Sequence, residues 1–213
     1  MSTILTRRVF LGTLTGGSLT GFAAAAPLAA QEKAAAWDLG WLDQLKGKHK
    51  QVFDLGSFEL GLETPLRLPN NYLNTFKDVY RAEPPDVNVA VGIARTAFPM
   101  NASDALWKKY RLGELWKIND ADGTPATHNV FLGAASGSAA PAVRSLMARG
   151  VVFWQCNIAL GGIASQFAHD SGTPVEKIRA ELIEGLNPGV KVVPAHSMAV
   201  GLVQERGFTY MRP

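Results

Sequence analysis

Apolar residues along this chain form short runs that alternate with segments of helical spacing. Four runs are too short for helices and are rich in valine and aromatic residues, which indicates strands buried in a sheet. They cover residues 51–55, 86–94, 151–154 and 190–193, and a shorter run follows at 208–211. Apolar residues spaced three and four apart predict helices at 68–80, 103–110, 141–149 and 197–206, and a further helix that begins near residue 173.

The order of these elements predicts the fold class. Strands that alternate with helices form parallel sheets with helices packed on both faces. We therefore expect an α/β fold with three layers, α/β/α, around a mainly parallel sheet of about five strands. Residues 115–131 interrupt this order, because turn-forming residues at 120–125 lie between two apolar flanks. That pattern predicts an inserted β-hairpin that projects from the main sheet.

Two helix starts have recognisable capping signals. Ser103 is a favourable N-cap residue for the short helix that follows it. The segment 173–176 combines threonine, proline and glutamate in the order of a capping box, and Ile178, Leu182 and Ile183 then predict a buried face.

The first thirty residues have the organisation of an export signal. Arg7 and Arg8 form a charged start, and a moderately apolar stretch rich in Gly, Thr, Ser and Ala follows them. Small residues precede Gln31, and no carboxylate occurs before Glu32. The modest hydropathy favours the twin-arginine (Tat) translocase over the general secretory route. An uncleaved membrane anchor is the alternative, since ~17–25 residues can span a bilayer.

This interpretation divides the chain into three parts. We expect a Tat signal peptide at 1–30, an N-terminal arm or helix at 31–48 and an α/β domain at 49–213, located in the periplasm. Without Arg7 and Arg8, 19 of the 21 basic residues remain, against 18 acidic ones, so the net charge is close to zero. The chain has no later run of basic residues, so no nucleic-acid partner is expected.

The chain contains a single cysteine, Cys156, which excludes an intramolecular disulfide and an iron–sulfur cluster held by cysteines. Cys156 follows a predicted strand directly, and ligands of open α/β sheets bind at the carboxyl ends of strands. A helix that starts near Asn157 would favour the thiolate, and Gly161 and Gly162 would let a sulfur adduct approach the backbone. The alternative is a small buried hydrophobic residue without chemistry.

His196 follows the strand at 190–193 and can share the same edge of the sheet. A Cys156–His196 pair would activate the thiol, whereas an exposed or helix-capping histidine needs no role. His49, His128 and His169 are scattered, so we expect no metal site, and no motif indicates a cofactor. The small-residue loop at 133–140 predicts a flexible connector more than a phosphate cradle.

Three segments resemble the DsrE/DsrF-like family of the sulfur-relay proteins. They are ARGVVFWQCN at 148–157, LNPGVKVVP at 186–194 and GFTY at 207–210. The resemblance implies a three-layer α/β/α fold, an oligomer, and in the sulfur-relay members a cysteine that carries persulfide sulfur. Cys156 is the position that matches that cysteine.

Two functional hypotheses follow. In the first, the protein is an exported sulfur carrier that uses Cys156 as persulfide acceptor, with a sulfur donor or acceptor protein as partner and the Tat translocase as partner during export. In the second, it is a non-catalytic binding or assembly subunit with a structural Cys156. The hairpin at 115–131 and the arm with Trp37 and Trp41 would then form a homo-oligomer or partner interface. The sequence leaves open whether the protein is an enzyme.

Overall fold

Five parallel strands form a single sheet in the computed structural model, which describes residues 37–56, 65–133 and 141–213. The strand order is β4-β3-β2-β1-β5, and each neighbouring pair is parallel. The strands are β1 (His49–Leu55), β2 (Val87–Ile93), β3 (Val152–Cys156), β4 (Lys191–Val193) and β5 (Thr209–Met211). The predicted parallel sheet is confirmed, whereas the expected signal at 1–30 and residues 134–140 lie outside the described residues.

Helices connect the strands in the described part of the chain. A 3-10 helix at Gly40–Gln44 precedes β1, and the α-helices are α1 (Arg67–Tyr80), α2 (Phe98–Asn101), α3 (Asp104–Tyr110), α4 (Leu112–Leu115), α5 (Val143–Ala148), α6 (Asn157–Ser171), α7 (Val175–Glu184) and α8 (His196–Glu205). Within these described ranges, none of the helices combines the length and the apolar character that crossing a bilayer requires.

Two apolar cores, one on each face of the sheet, give the fold its three layers. Successive residues of a strand point to opposite faces, so Phe153 enters the larger core and Trp154 enters the smaller one. Helices α1 to α7 contribute to the larger core, while α8 and the 3-10 helix cover the other face. Full burial of one such side chain contributes about 1.5–3 kcal/mol, so both faces stabilise the sheet.

The β-hairpin predicted at 115–131 is not formed. A single antiparallel bridge joins Asn119 to Pro125 around a tight turn, with no strand on either side. Pro125 has no N–H, so it cannot donate to a longer ladder. The segment also does not project, because Ile118, Ala126 and Phe131 are buried in the larger core. The apolar flanks that suggested two strands are instead core residues of a loop.

The structure corrects the capping signal at 173–176 and confirms only the position of the one at Ser103. Helix α7 begins after Pro174, whose backbone is extended, so Thr173 lies one residue too early to cap it. No side chain caps α7, and Ile183 is 38% exposed rather than buried. Ser103 occupies the N-cap position of α3, as predicted, but its hydroxyl makes no capping hydrogen bond.

The described part of the N-terminal arm, residues 37–48, packs on the sheet through its 3-10 helix. Trp41 is buried and packs against Trp154 with ring centroids 6.2 Å apart, whereas Trp37 is 42% exposed. Trp41 therefore belongs to the smaller core of its own chain.

Candidate functional site

Cys156 lies where β3 ends and α6 begins, at the carboxyl edge of the sheet. It is the N-cap residue of α6, and its Sγ accepts the backbone N–H of Ala159 at 3.5 Å. The same Sγ accepts the backbone N–H of His196, the first residue of α8, at 3.3 Å. The helix start expected next to Cys156 is thus present, and one sulfur atom caps two helices. The residue is 5% exposed.

The hydrogen bond from His196 N–H to Cys156 Sγ follows from the residue that precedes α8. The first N–H groups of a helix have no partner inside the helix and need an external acceptor. Ala195 is the N-cap residue of α8, and alanine has no side-chain acceptor. Because β3 and β4 are neighbours, α8 starts beside Cys156, and the sulfur takes the place of the missing cap.

The imidazole of His196 points away from Cys156. Its Nδ1 accepts a hydrogen bond from Trp154 Nε1 at 3.2 Å, and its Nε2 lies 2.6 Å from Asp54 Oδ1. An indole N–H can only donate, so Nδ1 is unprotonated and Nε2 donates to Asp54. Both ring nitrogens are therefore occupied. The structure brings His196 to Cys156 as predicted, but through the backbone N–H and not through a Cys–His pair that could activate the thiol.

Asp54, near the end of β1, is the centre of a half-buried polar cluster. Its Oδ1 also accepts the N–H of Gly56 at 2.7 Å, and its Oδ2 accepts the hydroxyl of Tyr210 at 2.6 Å. Burial raises the pKa of the Asp54 carboxyl, but the hydrogen bonds from Tyr210 and Gly56 and the adjacent His196 outweigh it and lower the pKa below its ordinary value. The hydrogen bond to Asp54, followed by burial, raises the pKa of Tyr210.

Two glycines make room for the imidazole. A Cβ added to Gly92, in the central strand β2, would lie 2.4 Å from Trp154 Cζ2 and 2.8 Å from His196 Cε1. A Cβ added to Gly56 would lie 2.6 Å from His196 Nε2. Any side chain at either position would displace the ring from its two hydrogen bonds.

A cation lies beside the first turn of α6. Arg179 of α7 donates from Nη2 to Asn157 Oδ1 at 2.7 Å, so a guanidinium contacts the residue that follows Cys156. Gly161 and Gly162 lie further along α6, where an added Cβ would meet no atom within 4 Å. Asn157 therefore stays next to the cysteine, whereas no contact brings the two glycines to it.

The other histidines lie in separate places. His49 packs against Phe76 with ring centroids 4.5 Å apart, and His128 and His169 lie beside Asp120 and Asp170. Among residues 37–56, 65–133 and 141–213, no group of three or more His, Cys, Asp and Glu side chains is placed to hold a metal ion.

Two cavities flank the sheet edge and its helices. A shallow groove of about 390 Å³ is lined by Asp54, His196 and Tyr210 together with exposed residues of α8. A larger cavity of about 460 Å³ lies between α3, α4, α6 and α7. In its wall Tyr110 stacks on Phe167 at 4.4 Å and donates to Glu181 at 3.1 Å. Burial, then the hydrogen bond and charge of Glu181, raises the pKa of Tyr110 to about 12.

Sequence reasoning missed Asp54, Tyr210 and Arg179. Asp54 had a detectable signal, because it is a carboxylate inside an otherwise apolar strand. Tyr210 and Arg179 had none, since their roles depend on which strands and helices become neighbours.

Comparison with known proteins adds little to this geometry. No family model matches the chain, and no curated protein matches it at a significant level. One similar solved structure is that of the protein of unknown function MTH1491 from Methanobacterium thermoautotrophicum. It shares 18% identity and covers 78% of this chain and 99% of its own, with a TM-score of 0.41.

Proposed function

We propose that the protein is a sulfur carrier of the DsrE/DsrF-like kind, with Cys156 as the persulfide acceptor. The Cys156 thiolate attacks the sulfane sulfur of a donor such as polysulfide or thiosulfate. An S–S bond forms at Sγ while the donor's S–S or S–S(O) bond breaks, and the donor leaves as a shorter polysulfide or as sulfite. An acceptor thiolate then takes the outer sulfur, and Sγ leaves again as thiolate.

One observation supports this proposal above the others: two backbone N–H groups from two helix starts meet at Sγ. N–H donors and the positive ends of helices stabilise negative charge on sulfur, which the step requires in the attacking and in the leaving thiolate. Arg179, bonded to the residue that follows Cys156, adds a positive charge that would favour an anionic donor at this end of α6.

The rest of the hypothesis concerns where the protein acts and with what. We propose that Arg7 and Arg8 direct export by the Tat translocase, that the working protein is periplasmic, and that it acts as a homo-oligomer with a sulfur donor or acceptor protein as partner. Export, location and oligomeric state do not depend on the Cys156 chemistry and are tested separately, whereas the sulfur-protein partner depends on it.

Burial of Cys156 favours a second candidate, a non-catalytic subunit in which the sulfur only caps α6 and α8. A thiol that is 5% exposed and accepts two N–H groups serves that purpose without reacting. The two candidates predict different behaviour of the same variants.

The test is intact-mass measurement after incubation with polysulfide or thiosulfate. The sulfur-carrier proposal predicts that wild-type protein gains the mass of one or more sulfur atoms, that a reductant removes it, and that Cys156→Ser gains none. Serine keeps an acceptor for both N–H groups, so this variant should unfold at the same urea concentration as wild type. Wild-type protein that gains no sulfur would exclude the carrier function.

Cys156→Ala serves as the matched control for capping. Alanine leaves both N–H groups without their acceptor, and we expect a loss of roughly 1 kcal/mol of unfolding free energy. If Ala and Ser variants are equally stable, the capping contacts contribute nothing, and the second candidate loses its support.

A further inference from the structure

The start of α8 carries the backbone N–H that contacts Cys156 Sγ, so its position matters for the thiol. Ala195 has an extended backbone, with φ of −142° and ψ of 142°, and no side chain caps the helix. The first turn of α8 is held by the hydrogen bond from Ala199 N–H to the Ala195 carbonyl at 3.1 Å. The contacts of His196 hold it as well.

The His196 ring is fixed on two sides. Trp154, fully buried in β3, donates to Nδ1, while Asp54, in β1, accepts from Nε2. Gly92 and Gly56 close the remaining space around the ring. Tyr210 in β5 in turn holds Asp54, so a hydrogen-bonded chain runs across the sheet edge and ends at the first residue of α8.

The ring and the N–H that contacts Sγ belong to the same residue. A ring held by two hydrogen bonds therefore limits where the His196 backbone N–H lies relative to Cys156, and a 3.3 Å contact to sulfur weakens when the donor moves or turns. We propose that His196 is a positioning residue for Cys156: Asp54 and Trp154 hold its imidazole so that its backbone N–H stays on Sγ and stabilises the charged sulfur during transfer. The use of this role in sulfur transfer rests on the proposed function. The effect of His196 on the reactivity of the Cys156 thiol can be measured independently of that function.

The experiment measures the rate of alkylation of Cys156 by iodoacetamide across a pH series. His196→Ala keeps the backbone N–H but loses both anchors. We expect its alkylation rate at neutral pH to fall about three- to tenfold, which is the effect of one weakened hydrogen bond to a charged group. The pH of half-maximal rate should rise by about half a unit to one unit. A variant that only loosens packing would expose Cys156 and speed alkylation instead.

Conservative variants test whether the lost reactivity of Cys156 can be restored. His196→Gln places an amide near the position of Nε2 and can still donate to Asp54, so we expect it to recover most of the loss. Asp54→Asn keeps an acceptor for Nε2 but weakens that hydrogen bond, so we expect a smaller change with the same sign. His169→Ala removes the histidine of an exposed His–Asp pair, His169 and Asp170, and should leave the profile unchanged.

The described titratable groups that hydrogen bonds link to this site are His196, Asp54 and Tyr210 through the start of α8, and Arg179 through Asn157. Tyr210→Phe tests the outer part of the cluster, because it removes one hydrogen bond to Asp54 without changing the charge and leaves the ring's two anchors in place. We expect the Tyr210→Phe profile to lie closer to wild type than that of Asp54→Asn.

The outcomes separate this proposal from the proposed function. A folded His196→Ala with the alkylation rate and pH profile of wild type would overturn the positioning role, whatever the sulfur-loading result. If His196→Ala does not fold, the decision passes to Trp154→Phe, which removes the donor to Nδ1 without changing any charge, and an unchanged profile there overturns it equally. If the variants alkylate slowly but wild-type Cys156 never takes up sulfur, the carrier function fails and the positioning role stands.

Discussion

Gly92→Ala is a small substitution that the structure predicts to be damaging to the site. It adds one methyl group in the middle of the sheet, on the face covered by α8. The added Cβ would lie 2.4 Å from Trp154 Cζ2, 2.7 Å from Cε2 and 2.8 Å from His196 Cε1, and real carbon contacts are never this short. Trp154 is fully buried and packed against Trp41, so it has little room to move.

Three contributions set the magnitude. Overpacking a filled core costs about 1–3 kcal/mol, and the displaced indole loses its hydrogen bond to His196, worth roughly 1 kcal/mol. Replacing glycine lowers the entropy of the unfolded chain and offsets about 0.4–1 kcal/mol. We expect Gly92→Ala to lose about 2 kcal/mol of unfolding free energy.

Urea unfolding followed by circular dichroism measures this loss as a lower midpoint at unchanged slope. Gly161→Ala in α6 is the matched control, because its Cβ would meet no atom within 4 Å. Alanine is the better helix former by roughly 0.5–1 kcal/mol, so the control should be more stable than wild type. A Gly92→Ala protein as stable as wild type would mean that Trp154 and His196 are not packed on the glycine, and the geometry of the site would be wrong.

Two further predictions concern proton binding. The pKa of Asp54 is lower in the folded chain than its ordinary 3.8, so the carboxylate stabilises the fold above that pH and loses this contribution as the pH falls through the folded value. The unfolding free energy of wild type minus that of Asp54→Asn should therefore shrink on acidification below about pH 5; a constant difference would contradict it. Tyr110, with its pKa raised to about 12, should be missing from the tyrosinate absorbance that develops near pH 10, and Tyr110→Phe should remove only the late part of the titration.

The sheet could be predicted from the sequence because its signal is local. β2 is buried at every position and β3 at four of its five, and most of these residues are apolar, as expected of strands covered on both faces. The same reasoning placed Cys156 at a carboxyl end and beside a helix start. It failed at 115–131, where apolar residues of a buried loop imitate a hairpin, since the periodicity of short segments does not say which partner they bury against.

The polar cluster could not be predicted, because it depends on strand order. Asp54 and His196 are 142 positions apart in the sequence. They meet because only β2 separates β1 from β3, and α8 packs over β2 and β1. No spacing rule links such residues. The direction of the His196 ring was also inaccessible, since it follows from Gly92 and Gly56 leaving space on one side and from the indole N–H of Trp154 on the other.

The hydrogen bond from His196 N–H to Cys156 Sγ has a consequence for the newly made chain. His196 follows Cys156 by 40 residues. At about 5–20 residues per second, the ribosome needs roughly two to eight seconds to make that stretch. During that interval the nascent sulfur has at most the Ala159 N–H as a partner, and β5, which brings Tyr210 to Asp54, is made later still. The thiol therefore acquires its complete surroundings only when translation of this domain is nearly finished, so reagents that reach nascent chains should modify Cys156 more readily than reagents added to the folded protein.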